Sequence, residues 1–220
     1  MNIHIFKVVI VSIASIVFLS GCVTVEPYNY GPLKQAAPRS ILVLPPMNSS
    51  VEVSAPYTYL STVTRPLAEK GYYVFPVSVV DTFLKENGLP TPAEMNGIAL
   101  DKIDEIIGAD AVLYVDIQDW GQKFQVLSSV TVVQGNVRLV SVRTGELLWE
   151  APINAQYNPN NNSGGGGLLG ALVVAVVSQI AGEITDNTPQ VARMANNMAF
   201  NSAKRGLLNG PYKIEKSSNQ

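Results

Sequence analysis

Few side chains in this 220-residue chain could do chemistry, and the most reactive ones lie near the amino terminus. Cys22 is the only cysteine and His4 the only histidine, and we predict that His4 is removed with a signal peptide over residues 1–21. A mature chain beginning at Cys22 would then have no histidine and one thiol. That excludes Ser-His and Cys-His nucleophilic sets and zinc sites built from His and Cys ligands. We therefore expect no enzyme, no metal and no cofactor.

The first 21 residues have the parts of a secretory signal. Lys7 supplies positive charge, and residues 8–19 form a largely apolar run, shorter than the roughly 20 residues that span a bilayer. Leu19-Ser20-Gly21-Cys22 follows and resembles the bacterial lipobox. This resemblance implies cleavage between Gly21 and Cys22, S-diacylglycerol on the Cys22 thiol and an N-palmitoyl group on the new amino terminus. The alternative is an ordinary signal peptide with an accidental cysteine.

Lipid attachment would hold the protein on a membrane, because each buried acyl methylene contributes about 0.8 kcal/mol. Val23 follows Cys22, where the Asp associated with inner-membrane retention would stand. We therefore expect the outer membrane, on its periplasmic side. No intrachain disulfide is possible with one cysteine, whatever the redox state of the compartment.

Composition and turn residues divide the rest of the chain. Residues 22–39 are predicted to be a lipidated tether, residues 40–210 a single domain, and residues 211–220 a polar tail. Within the domain, residues 158–167 read as an Asn- and Gly-rich loop and residues 168–208 as two C-terminal helices. Hydrophobic residues make up 47% and charged ones 15%, which provides a core and a weakly charged surface suited to partners. The net charge of −2 gives no nucleic-acid footprint.

Apolar periodicity predicts an α/β (α+β) fold with a mixed sheet of about five strands. Two β-α-β units, with short buried strands at 40–44, 72–75 and 111–117, precede an antiparallel meander flanked by helices. We predict a turn at residues 119–122, then a long strand over 123–143 with a bulge at Gly135, or alternatively a hairpin at 134–135. Residues 146–157 form the last strand, and Pro152 marks it as an edge or bulged strand.

Four stretches also resemble the signature regions of a Gram-negative lipoprotein family of unestablished function that includes a genome-derived neisserial antigen. They are residues 41–48 (ILVLPPMN), 66–76 (PLAEKGYYVFP), 108–114 (GADAVLY) and 144–149 (TGELLW). The resemblance implies a fold similar to the TolB amino-terminal domain and to curli-secretion-type lipoproteins. It also implies partners among curli-secretion-type or other small envelope lipoproteins, or a second copy of the chain.

Other motifs admit plain structural readings. Gly165-x-Gly167-x-x-Gly170 matches a dinucleotide fingerprint, but an Asn-rich loop separates it from the preceding strand, so we expect no nucleotide. Asp116 and Asp119, beside Trp120, are the only acidic pair suited to glycan hydrolysis. Four tyrosines are predicted to be core and rim aromatics rather than the lining of a ligand groove: Tyr57, Tyr59, Tyr72 and Tyr73. Three acidic residues are predicted to form the solvated face of a helix: Asp101, Asp104 and Glu105.

Residues 168–181 are apolar on every side, and three readings stay open: a buried helix, a subunit contact or insertion into the bilayer. The sequence as a whole favours a non-enzymatic structural or accessory subunit of a cell-envelope, secretion or transport complex, with no small-molecule substrate. A peptidoglycan-associated regulatory module is the alternative, and a glycan hydrolase using Asp116 and Asp119 is the weaker one.

Overall fold

The computed structural model describes residues 26–125, 128–158 and 186–214, which form six strands and six helices. The strands are β1 Ser40–Val43, β2 Met47–Asn48, β3 Tyr73–Val74, β4 Ala111–Gln125, β5 Ser128–Ser141 and β6 Leu147–Tyr157. The helices are α1 Gly31–Ala36, α2 Ala55–Glu69, α3 Val77–Glu86, α4 Pro92–Asn96, α5 Leu100–Ile106 and α6 Thr188–Phe200.

The six strands belong to one mixed sheet with the order β3-β1-β4-β5-β6. β1 pairs in parallel with β3 and with β4, whereas β4, β5 and β6 form an antiparallel meander. This confirms the predicted fold class. The sixth strand is the two-residue β2, which pairs in parallel with β4. β6 lies at the end of the strand order, as Pro152 indicated, because proline cannot donate to a second neighbouring strand.

Side chains alternate across the sheet and fill two separate cores. The larger core lies between the sheet and α1, α2 and α6, and its bulkiest members are Trp149, Tyr59 and Phe200. The smaller core lies under α3, α4 and α5 and takes Val112 from β4 but no residue from β5 or β6. Among the described elements, the three helices over the smaller core therefore leave most of that side of β4, β5 and β6 without an apolar cover.

β4 is longer than predicted, and the turn placed at residues 119–122 was wrong. Those residues continue the strand, and Gly121 adopts a φ of 98° within it. The register shifts between Ile117 and Asp119, opposite Gly135. The predicted irregularity at Gly135 is therefore real, but the extra residue lies on the facing strand. No hairpin forms at 134–135, since both residues pair within β5.

The predicted tether is wrong over its second half, because residues 28–36 pack against the domain. Leu33 of α1 is 3% exposed in the larger core, and the Tyr30 hydroxyl donates to the Gly206 carbonyl at 2.6 Å. The Tyr28 phenol oxygen accepts the backbone N–H of Glu150 at 3.0 Å. The sequence did not predict this packing, because a single buried leucine in a segment rich in proline and tyrosine gives no apolar periodicity.

The predicted tail likewise begins too early. The Tyr212 N–H donates to the Gly71 carbonyl at 2.9 Å, and the Tyr212 hydroxyl accepts from Arg39 Nη2 at 2.8 Å. The last helix spans Thr188–Phe200, whereas the predicted C-terminal helices extend to residue 208. Beyond Phe200 the chain turns back across the domain.

The pattern Ser/Thr-x-x-Asp/Glu occurs at the starts of two helices and caps only one of them. Thr91 and Glu94 form a capping box at the start of α4. Ser78 does not cap α3, whose N-cap is Pro76, and Asp81 instead accepts from Lys85 Nζ at 2.6 Å. The proline already ends the strand, so the helix begins one residue before the serine.

Several predictions concern residues outside the described ranges. They are the signal peptide, the cleavage site and lipidation at Cys22, the loop over 159–167, residues 168–181 and the Gly165-x-Gly167-x-x-Gly170 motif. None of the described helices is both long and apolar enough to cross a bilayer.

Candidate functional site

The meander presents a polar surface on the side away from the larger core, which we call the open face. Its first row across β4, β5 and β6 is Tyr114, Arg138 and Glu150, and its second is Asp116, Asn136 and Pro152. Further along the strands, Gln134 and Asn154 occupy the row of Asp119. The alternation of β structure places these residues opposite the apolar ones that fill the core.

Four charges lie near one another on this face, and we call them the charged row, although Asp116 lies two residues along β4 from the level of Arg138 and Glu150. They are Asp116 on β4, Arg138 on β5, Glu150 on β6 and Arg205 beyond the β6 edge. Arg138 Nη2 lies 3.5 Å from Asp116 Oδ2, and Arg205 Nη2 lies 3.4 Å from Glu150 Oε1. All four side chains remain between 36% and 48% exposed. The signs alternate along the row: negative, positive, negative, positive.

Arg205 is held in place by the β6 edge. Its carbonyl accepts from Trp149 Nε1 at 2.8 Å, and its Nη2 donates to the Glu150 carbonyl at 2.9 Å. Its guanidinium carbon lies 5.0 Å from the centroid of the Tyr28 ring, within the range of a cation–π contact. Its buried Nε has no hydrogen-bond partner. The amino-terminal segment, the edge strand and the charged row are therefore joined at this point.

The charged row borders a shallow groove of about 320 Å³, which Asn136 and Pro152 also line. Arg138 stacks over Tyr114, with 5.7 Å between its guanidinium carbon and the ring centroid. Burial raises the pKa of the Tyr114 phenol, and the nearby Arg138 partly offsets that rise. The phenol is thus a neutral group that can donate or accept a hydrogen bond.

The bulge brings Asp116 and Asp119, the predicted acidic pair, to the same face of β4. Normal alternation would place residues three apart on opposite faces, but Ile117 and Trp120 both enter the larger core. Each carboxylate pairs with a different cation, Asp116 with Arg138 and Asp119 with Lys123 at 2.6 Å. A glycosidase acid is a carboxyl kept protonated by a desolvating pocket, and both of these are partly exposed and ion-paired.

The remaining candidates take their plain structural roles. Tyr59 and Tyr72 are buried, whereas Tyr57 and Tyr73 are half exposed, which confirms core and rim positions. Asp101, Asp104 and Glu105 lie on the exposed side of α5. Within the described ranges, no group of three or more His, Cys, Asp or Glu side chains is placed to hold a metal ion.

Sequence reasoning named only Asp116 among the four members of the charged row. Arg138, Glu150 and Arg205 are separated by 12 and 55 positions along the chain, and no local motif links them. The available signal for this site was the pair of polar residues at alternate positions of each predicted strand. Which ones face each other depends on the strand register, which the sequence pattern did not reveal.

Comparisons with known proteins agree along nearly the whole chain. The sequence model of a family described as "Putative lipoprotein GNA1162-like" matches residues 28–212. This chain belongs to the GNA1162-like lipoprotein family. A relative in Neisseria meningitidis serogroup B, "Putative lipoprotein NMB1124/NMB1162", is 40% identical over 212 residues, which are 95% of this chain and 98% of the relative. The resemblance drawn from the four signature stretches is thereby confirmed.

The crystal structure of the lipoprotein GNA1162 from N. meningitidis superposes with a TM-score of 0.54 at 43% identity, over 66% of this chain and all of that one. The NMR structure of E. coli LpoB gives a TM-score of 0.41 at 17% identity, over 63% of this chain and 74% of that one, too weak to bear on function. The match to the GNA1162-like family starts at Tyr28, where the packed amino-terminal segment also starts.

Proposed function

We propose that this protein is a lipid-anchored lipoprotein on the periplasmic side of the outer membrane and a non-enzymatic accessory subunit of an envelope or secretion complex. Membership of the GNA1162-like family supports the lipoprotein assignment. The lipobox-like residues 19–22 support attachment through Cys22, and Val23 supports the outer membrane as its location.

The open face is the observation that carries the accessory role. It spans three strands, is polar, and holds its carboxylates in exposed ion pairs rather than in a desolvated pocket. Exposed pairs of this kind contribute about 0–1 kcal/mol to stability, so folding alone gives little reason for four alternating charges in one row. Charged groups arranged in this way direct association and select partners.

The test is cross-linking in living cells followed by affinity purification of the full-length tagged protein. We expect a defined envelope protein to be captured by the wild type and lost from an open-face variant carrying Asn136→Arg and Asn154→Arg. Matched substitutions on another surface, at Lys102 and Glu105 of α5, should leave capture unchanged. Recovery of the free monomer alone would contradict the proposal.

A second candidate, a peptidoglycan-associated regulatory module, is favoured by the amide side chains beside the charged row. Gln134, Asn136 and Asn154 can each donate and accept hydrogen bonds, as the hydroxyl and amide groups of a glycan strand require. Purified sacculi should then retain the unlipidated protein, and alanine at Gln134 and Asn154 should abolish the retention. Equal retention of both proteins would count against this candidate.

The hydrolase alternative has little support, because Asp116 and Asp119 pair with different cations. We expect Asp119→Asn to complement a deletion strain as well as the wild type does. Loss of a measurable glycan-cleaving activity in that variant would reinstate the hydrolase.

A further inference from the structure

We propose that one end of the domain docks on the head groups of anionic phospholipids, in the same bilayer that holds the lipid anchor. This end is the one at which the parallel strands β1 and β4 begin. Four cationic side chains gather there, and we call them the basic end: Lys34, Arg39, Lys70 and Lys213. None of them belongs to the open face. The proposal rests on the lipid anchor of the proposed function.

The chain segment 208–213, which returns across the domain after α6, holds the basic end together. Arg39 Nη2 donates to the Tyr212 hydroxyl at 2.8 Å. The Lys70 carbonyl accepts the N–H of Gly210 at 2.8 Å. The partners in both contacts are uncharged, so the segment positions the cations without neutralising them.

Neighbouring carboxylates do not neutralise this end either. Among the described residues, no salt bridge includes a member of the basic end. Glu69 pairs with Arg65 at 2.7 Å, and Asp110 accepts the backbone N–H of Arg39 at 2.8 Å. Burial lowers the pKa of Lys70, and the nearby charge of Lys213 lowers it further. The cations are thus close enough to repel one another, and an external anion would relieve that repulsion.

Apolar groups beside the cations favour a lipid over a free anion. A groove of about 280 Å³ opens next to Lys34 and is lined by Leu33, Pro38 and Leu208 among others. Tyr212 is 50% exposed and Ile214 is 86% exposed. Tyrosine and aliphatic side chains next to basic ones are typical of surfaces that lie at the boundary between head groups and acyl chains. A free phosphate would use the charges alone, whereas a phospholipid uses the charges and the apolar groups.

The length of the amino-terminal segment allows this end, and not the opposite one, to reach the bilayer. Tyr28 contacts Glu150, which is level with Tyr114, the fourth residue of β4. At about 3.3 Å per residue, β4 begins roughly 10 Å from that level and ends at Gln125 roughly 36 Å away in the other direction. The chain from Tyr28 to Cys22 reaches about 20 Å, which covers the first distance but not the second.

Acetylation of lysines by a water-soluble reagent measures this docking in the full-length lipidated protein. The protein is inserted into vesicles of phosphatidylcholine, or of equal parts phosphatidylcholine and phosphatidylglycerol, and mass spectrometry gives the acetylation rate of each lysine. We expect Lys34, Lys70 and Lys213 to react at least about fivefold more slowly on the anionic vesicles. Lys123, near the far end of β4, should react equally fast on both.

A double variant tests whether the charges cause the docking. Each basic residue near an anionic surface contributes about fivefold to binding, so Lys70→Gln with Lys213→Gln should lower the docked fraction relative to the undocked one about 25-fold. Lys34 should then react as fast as on neutral vesicles. Lys102→Gln with Lys123→Gln removes the same charge elsewhere and should leave Lys34 protected. Should thermal unfolding show that the first variant fails to fold, the wild type in about 1 M salt replaces it, because screening then acts within about 3 Å.

Several results would overturn the lipid contact while leaving the anchor in place, provided that the protein still floats with the vesicles. They are equal acetylation on both kinds of vesicle, equal slowing at Lys123, and protection that survives in the Lys70 and Lys213 variant or in salt. Slowing in native membranes but not on pure phospholipid would assign the basic end to an acidic protein instead and overturn the lipid contact. A wild type that floats with neither kind of vesicle contradicts the anchor and this proposal together.

Discussion

Replacing Leu33 with alanine and Tyr30 with phenylalanine should detach the amino-terminal segment from the domain. Leu33 is the buried residue of α1 and is 3% exposed in the larger core. The Tyr30 hydroxyl donates to the Gly206 carbonyl at 2.6 Å, and its ring packs edge-on against Tyr28 with 4.9 Å between centroids. These contacts join the first described residues to a part of the chain 176 positions away.

The expected loss follows from the two groups removed. A buried Leu→Ala change costs about 2–5 kcal/mol, and we take about 3 kcal/mol because α1 lies at the edge of the core. Loss of the phenol hydrogen bond adds about 1 kcal/mol. The sum of about 4 kcal/mol corresponds to a roughly 1000-fold larger population of the detached segment, at about 1.4 kcal/mol per factor of ten.

Limited proteolysis of the full-length protein measures this population. Trypsin can cut after Lys34 only when α1 has opened, and the cleavage rate then follows the open population. We expect cleavage at Lys34 to accelerate far more than cleavage at Lys102 within α5. The exposed residues Leu147 and Tyr73 supply matched Leu→Ala and Tyr→Phe controls, which should change neither rate.

A less than about tenfold acceleration at Lys34, well below the predicted energy, would refute the packed-segment argument. Equal acceleration at both sites would also refute it, because that result indicates global unfolding rather than release of α1. The functional consequence concerns reach. Six residues from Cys22 to Tyr28 span about 20 Å when extended, whereas a tether running to Arg39 would span roughly 55–60 Å.

Three further predictions concern stability. Gly135→Ala should cost about 1–3 kcal/mol in thermal unfolding, because the added Cβ would overlap the Asp116 carbonyl across the bulge. Asn196→Ala should cost about 2–3 kcal/mol in urea unfolding, because the buried Tyr59 hydroxyl, which lies 2.8 Å from Asn196 Oδ1, then loses its acceptor. Adding Tyr59→Phe to that variant should cost far less than Tyr59→Phe costs in the wild type, and additive losses would contradict the buried pair. Burial raises the pKa of Tyr72 to about 12, so the phenol holds its proton more tightly in the folded protein than in the unfolded chain. The free energy of unfolding should therefore be steady below pH 10 and fall between about pH 10 and 12, and Tyr72→Phe should lessen that fall.

The sequence predicted elements whose signals are local. Thr91 and Glu94 form a capping box whose signal is local, because both partners lie within one helical turn. Pro152 indicated an edge strand because its missing N–H excludes a central position. Gly121 misled the prediction, since glycine next to polar residues suggests a turn, whereas here its positive φ follows a bulge in a continuous strand.

The charged row could not be predicted because it depends on register. Shifting a strand by one residue moves all of its side chains to the other face. The bulge at Ile117 does this within β4 and places Asp116 and Asp119 together. The position of Arg205 depends in turn on a chain reversal after α6, where an uninterrupted helix was expected. Non-local pairing therefore created the site from residues that have no pattern in the sequence.

Lipid attachment at Cys22 is the claim on which the location and the accessory role both depend. Metabolic labelling with palmitate, followed by separation of inner and outer membranes, tests it in cells expressing the full-length wild type or Cys22→Ala. We predict label on the wild type in the outer-membrane fraction, and a variant that is unlabelled and released from the membrane while its domain stays folded. An unlabelled wild type, or a variant that still carries palmitate, would contradict the account.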